Sequence, residues 1–371
     1  MKKEIRNHKS FLKIINNNKY KKIFILSGYN SLIKSGADKI LINDINKDKK
    51  VKFFFKKKSF PETKELLKIM KSFKKFSPNL ILAIGGGAVL DYAKIINIVS
   101  STKNIVNKIQ NYNYNSTKKN TKLIAIPTTA GSGAEVTSNA VIYHNKIKYS
   151  FEDKLLIPDN FYLCPKTLIN VPTKIKASSG FDAIAQSIES MFSKKSSKKS
   201  FNFAKKSLKI SIEYYLKYLK KPNLYNSTKM ATAANLAGSA INISKTTAPH
   251  ASSYPFSALY NINHGHAVSL NFERFIEFTY LNIHRSNNPS ELKNIFNFIF
   301  KITKTKNIRE LVNFIKFIKR ESDLIDNYKY LKININKDLN KILEGVNPLR
   351  LKNNPIELSR QNLEKIILQT F

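Results

Sequence analysis

A short apolar segment that runs into three consecutive glycines constrains this chain most. Residues 78–87 read PNLILAIGGG, and residues 88–100 read AVLDYAKIINIVS. The first segment is typical of a buried strand ending in a tight turn, and the second of the helix that follows. Glycines at such a turn let the backbone approach a phosphate, and the helix N-terminus offers free N–H groups. The segment therefore predicts a phosphate-binding loop or, equally, a plain strand-to-helix turn.

The rest of the first half alternates strand-like and helix-like segments. Strands are predicted at 21–29, 51–55 and 122–129, and helices at 31–41 (interrupted at Gly36) and 61–76. Such alternation predicts a mostly parallel sheet with helices on both faces.

From about Val171 the pattern becomes helical throughout, with one polar loop at 193–200. The expected class is α/β plus all-α, with a Rossmann-like parallel-sheet domain at 1–170 and a helical domain at 171–371. The helices predicted in the second half are 177–192, 200–220, 228–244, 264–281, 290–304 and 306–318.

Composition excludes several classes of protein. Only 11 Gly and 12 Pro in 371 residues argue against collagen-like and many-turned all-β chains. The single cysteine, Cys164, rules out an internal disulfide framework and a cysteine-built metal site. No apolar run is long enough to cross a bilayer, and the N-terminus has no apolar signal region. We therefore expect a cytoplasmic protein without a membrane partner.

The net charge is +39, from 64 Lys and Arg against 25 Asp and Glu. The lysines recur from Lys2 to Lys365 rather than in a patch, and no nucleic-acid-binding motif accompanies them. This distribution indicates a compositional bias and no specific nucleic-acid partner. The excess charge favours capture of an anionic small substrate.

A second polar loop follows another predicted strand. Residues 127–135 read PTTAGSGAE, and their hydroxyls and glycines suit a pyrophosphate or ribose. Because the carboxyl ends of parallel strands meet at one edge of a sheet, two such loops favour a dinucleotide site.

The second half contains a candidate metal constellation. Asp182 and Gln186 are four apart on a predicted helix and so share a face. His250, His264 and His266 follow within one stretch of 17 positions. Spacing alone leaves open that these are ordinary polar or capping histidines.

Taken together, these segments resemble the iron-containing (group III) alcohol dehydrogenase family. The resemblance rests on GGGAVLDYAK (85–94), PTTAGSGAEVT (127–137), SSGFDAIAQSIES (178–190), the His250/His264 pair and NPLRLKNNPIELS (347–359). Two further segments, TTAPHASSYPF (246–256) and HGHAVSL (264–270), look most like the phosphonoacetaldehyde reductase subgroup. The family's dehydroquinate synthase-like fold implies the same two domains: a dinucleotide-binding α/β domain at 1–170 and a helical metal- and substrate-binding domain at 171–371.

The resemblance also implies site residues. Asp182, His250 and His264 match three metal ligands, with Gln186 beside them. The cofactor-binding positions implied are Gly85, Gly86, Gly87, Asp91, Lys94, Thr128, Thr129 and Ser132.

Two departures from the family pattern affect the cofactors. Gln186 stands where the family has histidine, and an amide oxygen is a weaker ligand than imidazole. A divalent metal, Fe²⁺ or Zn²⁺, is still expected; alternatively, Gln186 binds substrate and metal is held weakly or not at all. Residues 27–30, SGYN, lack the acid that often binds the adenosine ribose, so NADPH is expected to be accepted as well as NADH.

The implied reaction is metal-assisted reduction of phosphonoacetaldehyde to 2-hydroxyethylphosphonate, a step in phosphonate biosynthesis. His266 is the candidate catalytic proton relay, and Lys245, Thr247 and Ser253 are candidates to bind the anionic head group.

Three alternatives stay open. These are a general short-chain alcohol or aldehyde dehydrogenase, a metal-dependent non-redox lyase of the dehydroquinate synthase type, and a non-catalytic nucleic-acid-binding protein. We expect a homodimer or a larger homo-oligomer.

Overall fold

The computed structural model describes residues 3–99, 102, 104–111, 118–145 and 147–370. The chain divides into two compact units. The first comprises Met1–Val171 and Pro222–Gly238, and the second Pro172–Lys221 and Ser239–Phe371. The domain boundary expected between residues 170 and 171 stays a prediction, because a compact unit need not be a domain that folds independently.

A parallel sheet forms the centre of the first unit. The strands in its described residues are β1 (Lys3–Glu4), β2 (Lys22–Gly28), β3 (Lys50–Lys56), β4 (Leu80–Gly85), β5 (Lys122–Pro127), β6 (Asn139–His144), β7 (Ile147–Glu152) and β8 (Asn160–Phe161). Six of them form the sheet in the order β1-β8-β5-β4-β2-β3, with every pair parallel. The register pairs Gly85 with Pro127, so the loops that follow β4 and β5 begin side by side.

Both faces of the sheet are apolar. On β4, Leu80, Leu82 and Ile84 belong to one buried cluster, and Ile81 and Ala83 belong to the other. A strand buried on both faces has no need of polar positions, which is why 80–84 reads as a continuous apolar run.

Helices cover these faces in the first unit. They are α1 (His8–Ile15), α2 (Tyr29–Lys34), α3 (Thr63–Phe76), α4 (Gly87–Val99), α5 (Ile105–Gln110) and α6 (Lys166–Ile169). The helix predicted at 31–41 is interrupted, as expected, at Gly36, which has a positive φ of 69°. A separate π-helical turn, Asp38–Ile42, follows it. Ser100, the last residue of the helix predicted at 88–100, lies outside the described residues.

An antiparallel hairpin was not predicted from the sequence. Strands β6 and β7 pair over their full length, from Asn139 opposite Glu152 to His144 opposite Ile147. Its burial does not alternate cleanly, so the period-2 pattern that marks a strand is weak here.

The second unit is helical, as predicted. Its helices, including one shared with the first unit (α9), are α7 (Thr173–Phe192), α8 (Lys198–Lys220), α9 (Leu224–Ser244), α10 (Ala248–Tyr260), α11 (His264–Ser269), α12 (Phe272–Leu281), α13 (Pro289–Thr303), α14 (Ile308–Glu321), α15 (Ile335–Glu344), α16 (Pro348–Lys352) and α17 (Arg360–Ile367).

The helical prediction missed α15, α16 and α17, and it was wrong in other details. The loop predicted at 193–200 ends at Ser197, which caps α8. The helix predicted at 264–281 is two helices, broken at Leu270 and Asn271. Helix α10 was missed because it contains Pro249 and Pro255, which usually stop a helix; Pro249 stands in its first turn, where a missing N–H costs nothing.

The α/β plus all-α fold class is therefore confirmed. Among the described residues, no helix has both the length and the apolar character needed to cross a bilayer.

Candidate functional site

The two loops predicted to bind a dinucleotide lie against each other in the first unit. A β-carbon at Gly86 would stand 3.3 Å from Thr129 Oγ1, and one at Gly87 would stand 3.0 Å from Ser132 Oγ. The Thr128 amide donates to the carbonyl of Gly85 over 3.1 Å. The glycines therefore serve the close approach of the second loop to the first. The structure brings these six predicted residues together, and their contact with a cofactor stays a prediction.

Asp91 and Lys94 lie on α4, which follows the glycine loop. Asp91 accepts the backbone N–H of Val141 at 3.2 Å, and burial raises the pKa of its carboxyl to about 6 in spite of the nearby Lys94. The Lys94 ammonium is fully buried and donates to Thr137 Oγ1 and to the carbonyl of Asn139, both over 2.9 Å. These bonds give Lys94 a structural role in joining α4 to the start of β6.

Three helices of the second unit bring the predicted metal ligands together. Asp182 comes from α7, His250 from α10 and His264 from the first position of α11. Each offers a ligand atom, and these atoms all lie within 4.8 Å of one another. His250 Nε2 lies 3.1 Å from Asp182 Oδ1, and the two histidine rings are 5.2 Å apart. Asp182 and His250 are each 3% exposed, and His264 is half-buried.

Gly265 sets the position of His264. A β-carbon at Gly265 would stand 2.0 Å from the carbonyl oxygen of Ser178 and 2.9 Å from Asp182 Cβ. Only glycine allows α11 to lie this close to α7. The small residue in the middle of the HGH motif therefore keeps His264 beside Asp182.

Glu189 completes the group and was missed in the sequence. It is fully buried, and its carboxylate pairs with His250 Nδ1 and accepts from the amide and hydroxyl of Thr247 at 2.7 and 3.0 Å. A bond at Nδ1 orients the imidazole and leaves Nε2 to face Asp182. The available signal was its place seven residues after Asp182, two turns along the same face of α7.

Charges in this group act on one another. Burial by itself would lower the pKa of His250, but Glu189 and Asp182 raise it to about 9. Burial by itself would raise the pKa of Asp182, but the two histidines hold it below its ordinary value. The group is thus an acid–base cluster with strong mutual attraction.

Gln186 provides a test of whether a metal fits here. Its amide hydrogen-bonds Asp182, and its side-chain oxygen, Oε1, is buried without a hydrogen-bond partner among the described residues. An unpaired buried carbonyl oxygen is costly and calls for an explanation. Two imidazoles, a carboxylate and this amide oxygen form a donor set that suits a divalent transition metal. The residues present therefore fit the metal.

His266 faces away from this group. Its Nε2 donates to the carbonyl of Ile325 over 2.6 Å, and its backbone amide lies 3.1 Å from Ser178 Oγ. Burial lowers the pKa of its imidazole. The relay role predicted for His266 has no described contact with the metal ligands to support it and stays a prediction.

The three predicted substrate residues have structural explanations. Thr247 binds Glu189, and the Ser253 hydroxyl donates to the carbonyl of His250 over 2.8 Å. Lys245 directly follows α9 and has a left-handed backbone conformation with a φ of 64°. Their contact with a substrate also stays a prediction.

Two family models match the chain. The model for iron-containing alcohol dehydrogenase matches residues 4–165, and the model for the C-terminal domain of the Fe-containing alcohol dehydrogenase family matches residues 176–371. The chain belongs to the iron-containing alcohol dehydrogenase family. Members of this family use NAD(H) and a divalent metal, which agrees with the cofactors expected from the sequence.

Individual proteins give the same picture. The chain is 30% identical over 204 residues to the 1-propanol dehydrogenase PduQ of Salmonella typhimurium, a match covering 54% of this chain and 52% of that protein. It spans about half the length, or less, of the curated relatives it matches.

Solved structures of family members share the fold over nearly all of the chain. An archaeal alcohol dehydrogenase from a Red Sea brine pool, ADH/D1, superimposes with a TM-score of 0.90 at 21% identity, covering 100% of this chain and 97% of that one. Sulfoacetaldehyde reductase from Bifidobacterium kashiwanohense, solved with NAD⁺, superimposes with a TM-score of 0.86 at 23% identity, covering 99% and 96%. At these identities the likeness establishes the fold.

Proposed function

We propose that this protein reduces an aldehyde to an alcohol with NADPH or NADH and a divalent metal. The observation that carries the proposal is the convergence of the buried Asp182 and His250 with the half-buried His264, their ligand atoms lying within 4.8 Å of one another. A solvated polar cluster would not need this burial, and a nucleic-acid-binding protein would need neither the cluster nor the glycine loops.

The bound groups and the chain have separate tasks in this reaction. When bound, the metal supplies Lewis-acid polarisation of the carbonyl oxygen, and the reduced nicotinamide supplies a hydride. Asp182, His250 and His264 hold the metal, and Gln186 Oε1 is available as a fourth ligand. Reduction also needs one proton at the oxygen, which water supplies.

The chain's own contribution at the metal is rigidity. Glu189 holds the His250 ring by its Nδ1, and Thr247 in turn holds Glu189 with two hydrogen bonds. Ligands fixed in this way do not need to reorganise when metal or substrate arrives, which favours both binding and reaction.

As substrate we propose phosphonoacetaldehyde, which would give 2-hydroxyethylphosphonate. This proposal rests on the resemblance of residues 246–256 and 264–270 to phosphonoacetaldehyde reductases and on the chain's positive charge, which favours an anionic substrate. The competing candidate is a neutral short-chain aldehyde, because one curated relative is a 1-propanol dehydrogenase.

Cofactor oxidation by the metal-loaded protein tests the function. Phosphonoacetaldehyde and propanal are offered separately with NADPH and with NADH, and consumption of the reduced cofactor is followed at 340 nm. Aldehyde-dependent oxidation is expected, and it should disappear in Asp182→Ala but not in Glu213→Gln, which changes an exposed carboxylate. Product formation without net cofactor oxidation would instead support a non-redox lyase.

A further inference from the structure

The C-terminal segment 347–354 is fastened along the first turns of α10. The Asn347 amide donates to the carbonyl of Ala251 over 3.2 Å, and Asn354 Oδ1 accepts the Ala248 amide at 3.4 Å. These two bonds fix both ends of the segment, which contains the short helix α16. Arg350 lies between these two bonds and is therefore held beside the helix that carries His250.

One residue, Tyr254, links Arg350 to the proposed metal ligands. Tyr254 lies four residues after His250 on the same face of α10 and is buried. Its ring centre is 5.9 Å from that of His264. Burial raises the pKa of Tyr254, and hydrogen bonds from Arg350 and Thr246 to its hydroxyl act in the opposite direction. Arg350 and His264 are thus both neighbours of the Tyr254 side chain.

A guanidinium in this position suits a tetrahedral oxyanion. It carries five N–H donors in a planar fork, which match the oxygens of a phosphonate or sulfonate better than an ammonium does. In a two-carbon aldehyde the head group lies one carbon from the carbonyl. A substrate whose carbonyl lies at the metal ligands must therefore find its cation close to them, and Arg350 is a cation that Tyr254 links to His264.

We infer that Arg350, held by Tyr254 beside His264, binds the anionic head group of the aldehyde substrate. The inference rests on the proposed aldehyde reduction and names its substrate class: short aldehydes with a phosphonate or sulfonate group. It moves the head-group site from Lys245, suggested by proximity in sequence, to a residue 100 positions after His250.

The test compares Arg350→Gln and Arg350→Lys with the unaltered, metal-loaded protein on phosphonoacetaldehyde, sulfoacetaldehyde and propanal. Arg350→Gln should raise the KM for both anionic aldehydes by about 10- to 100-fold, and more for the phosphonate dianion than for the sulfonate. The kcat/KM for propanal should change less than about twofold. Arg350→Lys, which keeps the charge but loses the fork, should lie between.

Two control variants sharpen the comparison. Arg360→Gln removes an exposed arginine of the same unit whose partner is Asn340, and it should leave all three substrates unchanged. Lys245→Ala tests the alternative cation. A selective effect of Lys245→Ala without one of Arg350→Gln overturns the inference, as does an equal loss of activity on propanal and the anionic aldehydes in Arg350→Gln.

Binding without turnover separates this inference from the proposed function. Ethylphosphonate carries the head group but no carbonyl, and its binding to metal-loaded protein is measured by titration calorimetry. Arg350→Gln should weaken binding at least tenfold. Equal affinity in the unaltered protein and this variant overturns the inference, whereas absence of aldehyde reduction with Arg350-dependent binding rejects only the reaction.

Discussion

Gly265 lies so close to Ser178 that a β-carbon at position 265 would stand 2.0 Å from the Ser178 carbonyl oxygen. This contact between α11 and α7 holds His264 beside Asp182. A site that depends on a missing methyl group is sensitive to very small substitutions.

The close contact between Gly265 and Ser178 can be tested by adding one methyl group. Gly265→Ala should force α11 away from α7, destabilise the protein by about 1–3 kcal/mol, and lower the metal bound per chain. Thermal unfolding and metal analysis after dialysis measure the two effects. A variant with unchanged metal stoichiometry and unchanged Tm would show that the two helices can separate without cost, contrary to this account.

Gln186 should be a metal ligand. Gln186→Leu removes the orphan oxygen at nearly constant volume and should weaken Co²⁺ binding about tenfold, whereas Gln186→His should strengthen it. Calorimetry gives the affinities, and the visible spectrum of bound Co²⁺ should change in both variants because it reports the ligand set. An identical spectrum and affinity for Gln186→Leu would assign Gln186 to another role.

Glu189 should act on the metal through His250. Glu189→Gln weakens the hold on Nδ1, so metal affinity should fall by about 10- to 100-fold. Glu213→Gln, on an exposed face of α8, is the matched control and should bind metal normally. If both variants bind metal equally well, the orientation of His250 does not depend on Glu189.

Asp91 should make stability depend on pH. Its folded pKa is raised to about 6 from 3.8, so between these values the folded state binds more protons than the unfolded state and stability falls as pH rises. Asp91→Asn removes this pH dependence. Between pH 4 and pH 7 the free energy of unfolding of the variant should therefore rise by about 1–3 kcal/mol relative to that of the unaltered chain. Urea unfolding of both metal-free proteins across this range checks it. A difference that is constant with pH would mean that Asp91 does not titrate in the window.

Cofactor preference should depend on Lys56. It pairs in register with Gly28, at the end of β2 where no carboxylate repels a ribose phosphate. Lys56→Gln should lower kcat/KM for NADPH several-fold more than for NADH, while Lys52→Gln, on an exposed part of the same strand, should not. Equal effects on the two cofactors would place the ribose phosphate elsewhere.

Local signals in the sequence were sufficient for four strands of the sheet, β2 to β5, and for most of the longer helices. The apolar run that ends at Gly85 predicts β4 and the turn after it. Burial on both faces requires consecutive apolar residues, and a tight turn favours glycine, so both signals lie in adjacent residues. Spacing placed Asp182 and Gln186 on one face of a helix, whereas the metal-binding role predicted for them came from the family resemblance.

Contacts between residues that are far apart in the sequence have no such local signal. Arg350 lies 96 positions after Tyr254, and nothing in the intervening sequence links the two side chains. Helix α10 was hidden by its prolines, so the alignment of His250 with Tyr254 could not be anticipated. Thr247 and Ser253 have hydroxyls that looked suited to a substrate, but each meets a buried acceptor that only the fold brings near.

The proposed metal ligands come from three separate helices, and this has a thermodynamic consequence. An unfolded chain cannot bring Asp182, His250 and His264 together, so the ion favours the native state by mass action. At a free metal concentration one hundred times Kd, this linkage amounts to about 2.7 kcal/mol. The concentration of the ion in the cell would thereby affect how often the protein unfolds and how fast it is degraded by proteases, independently of its catalytic activity.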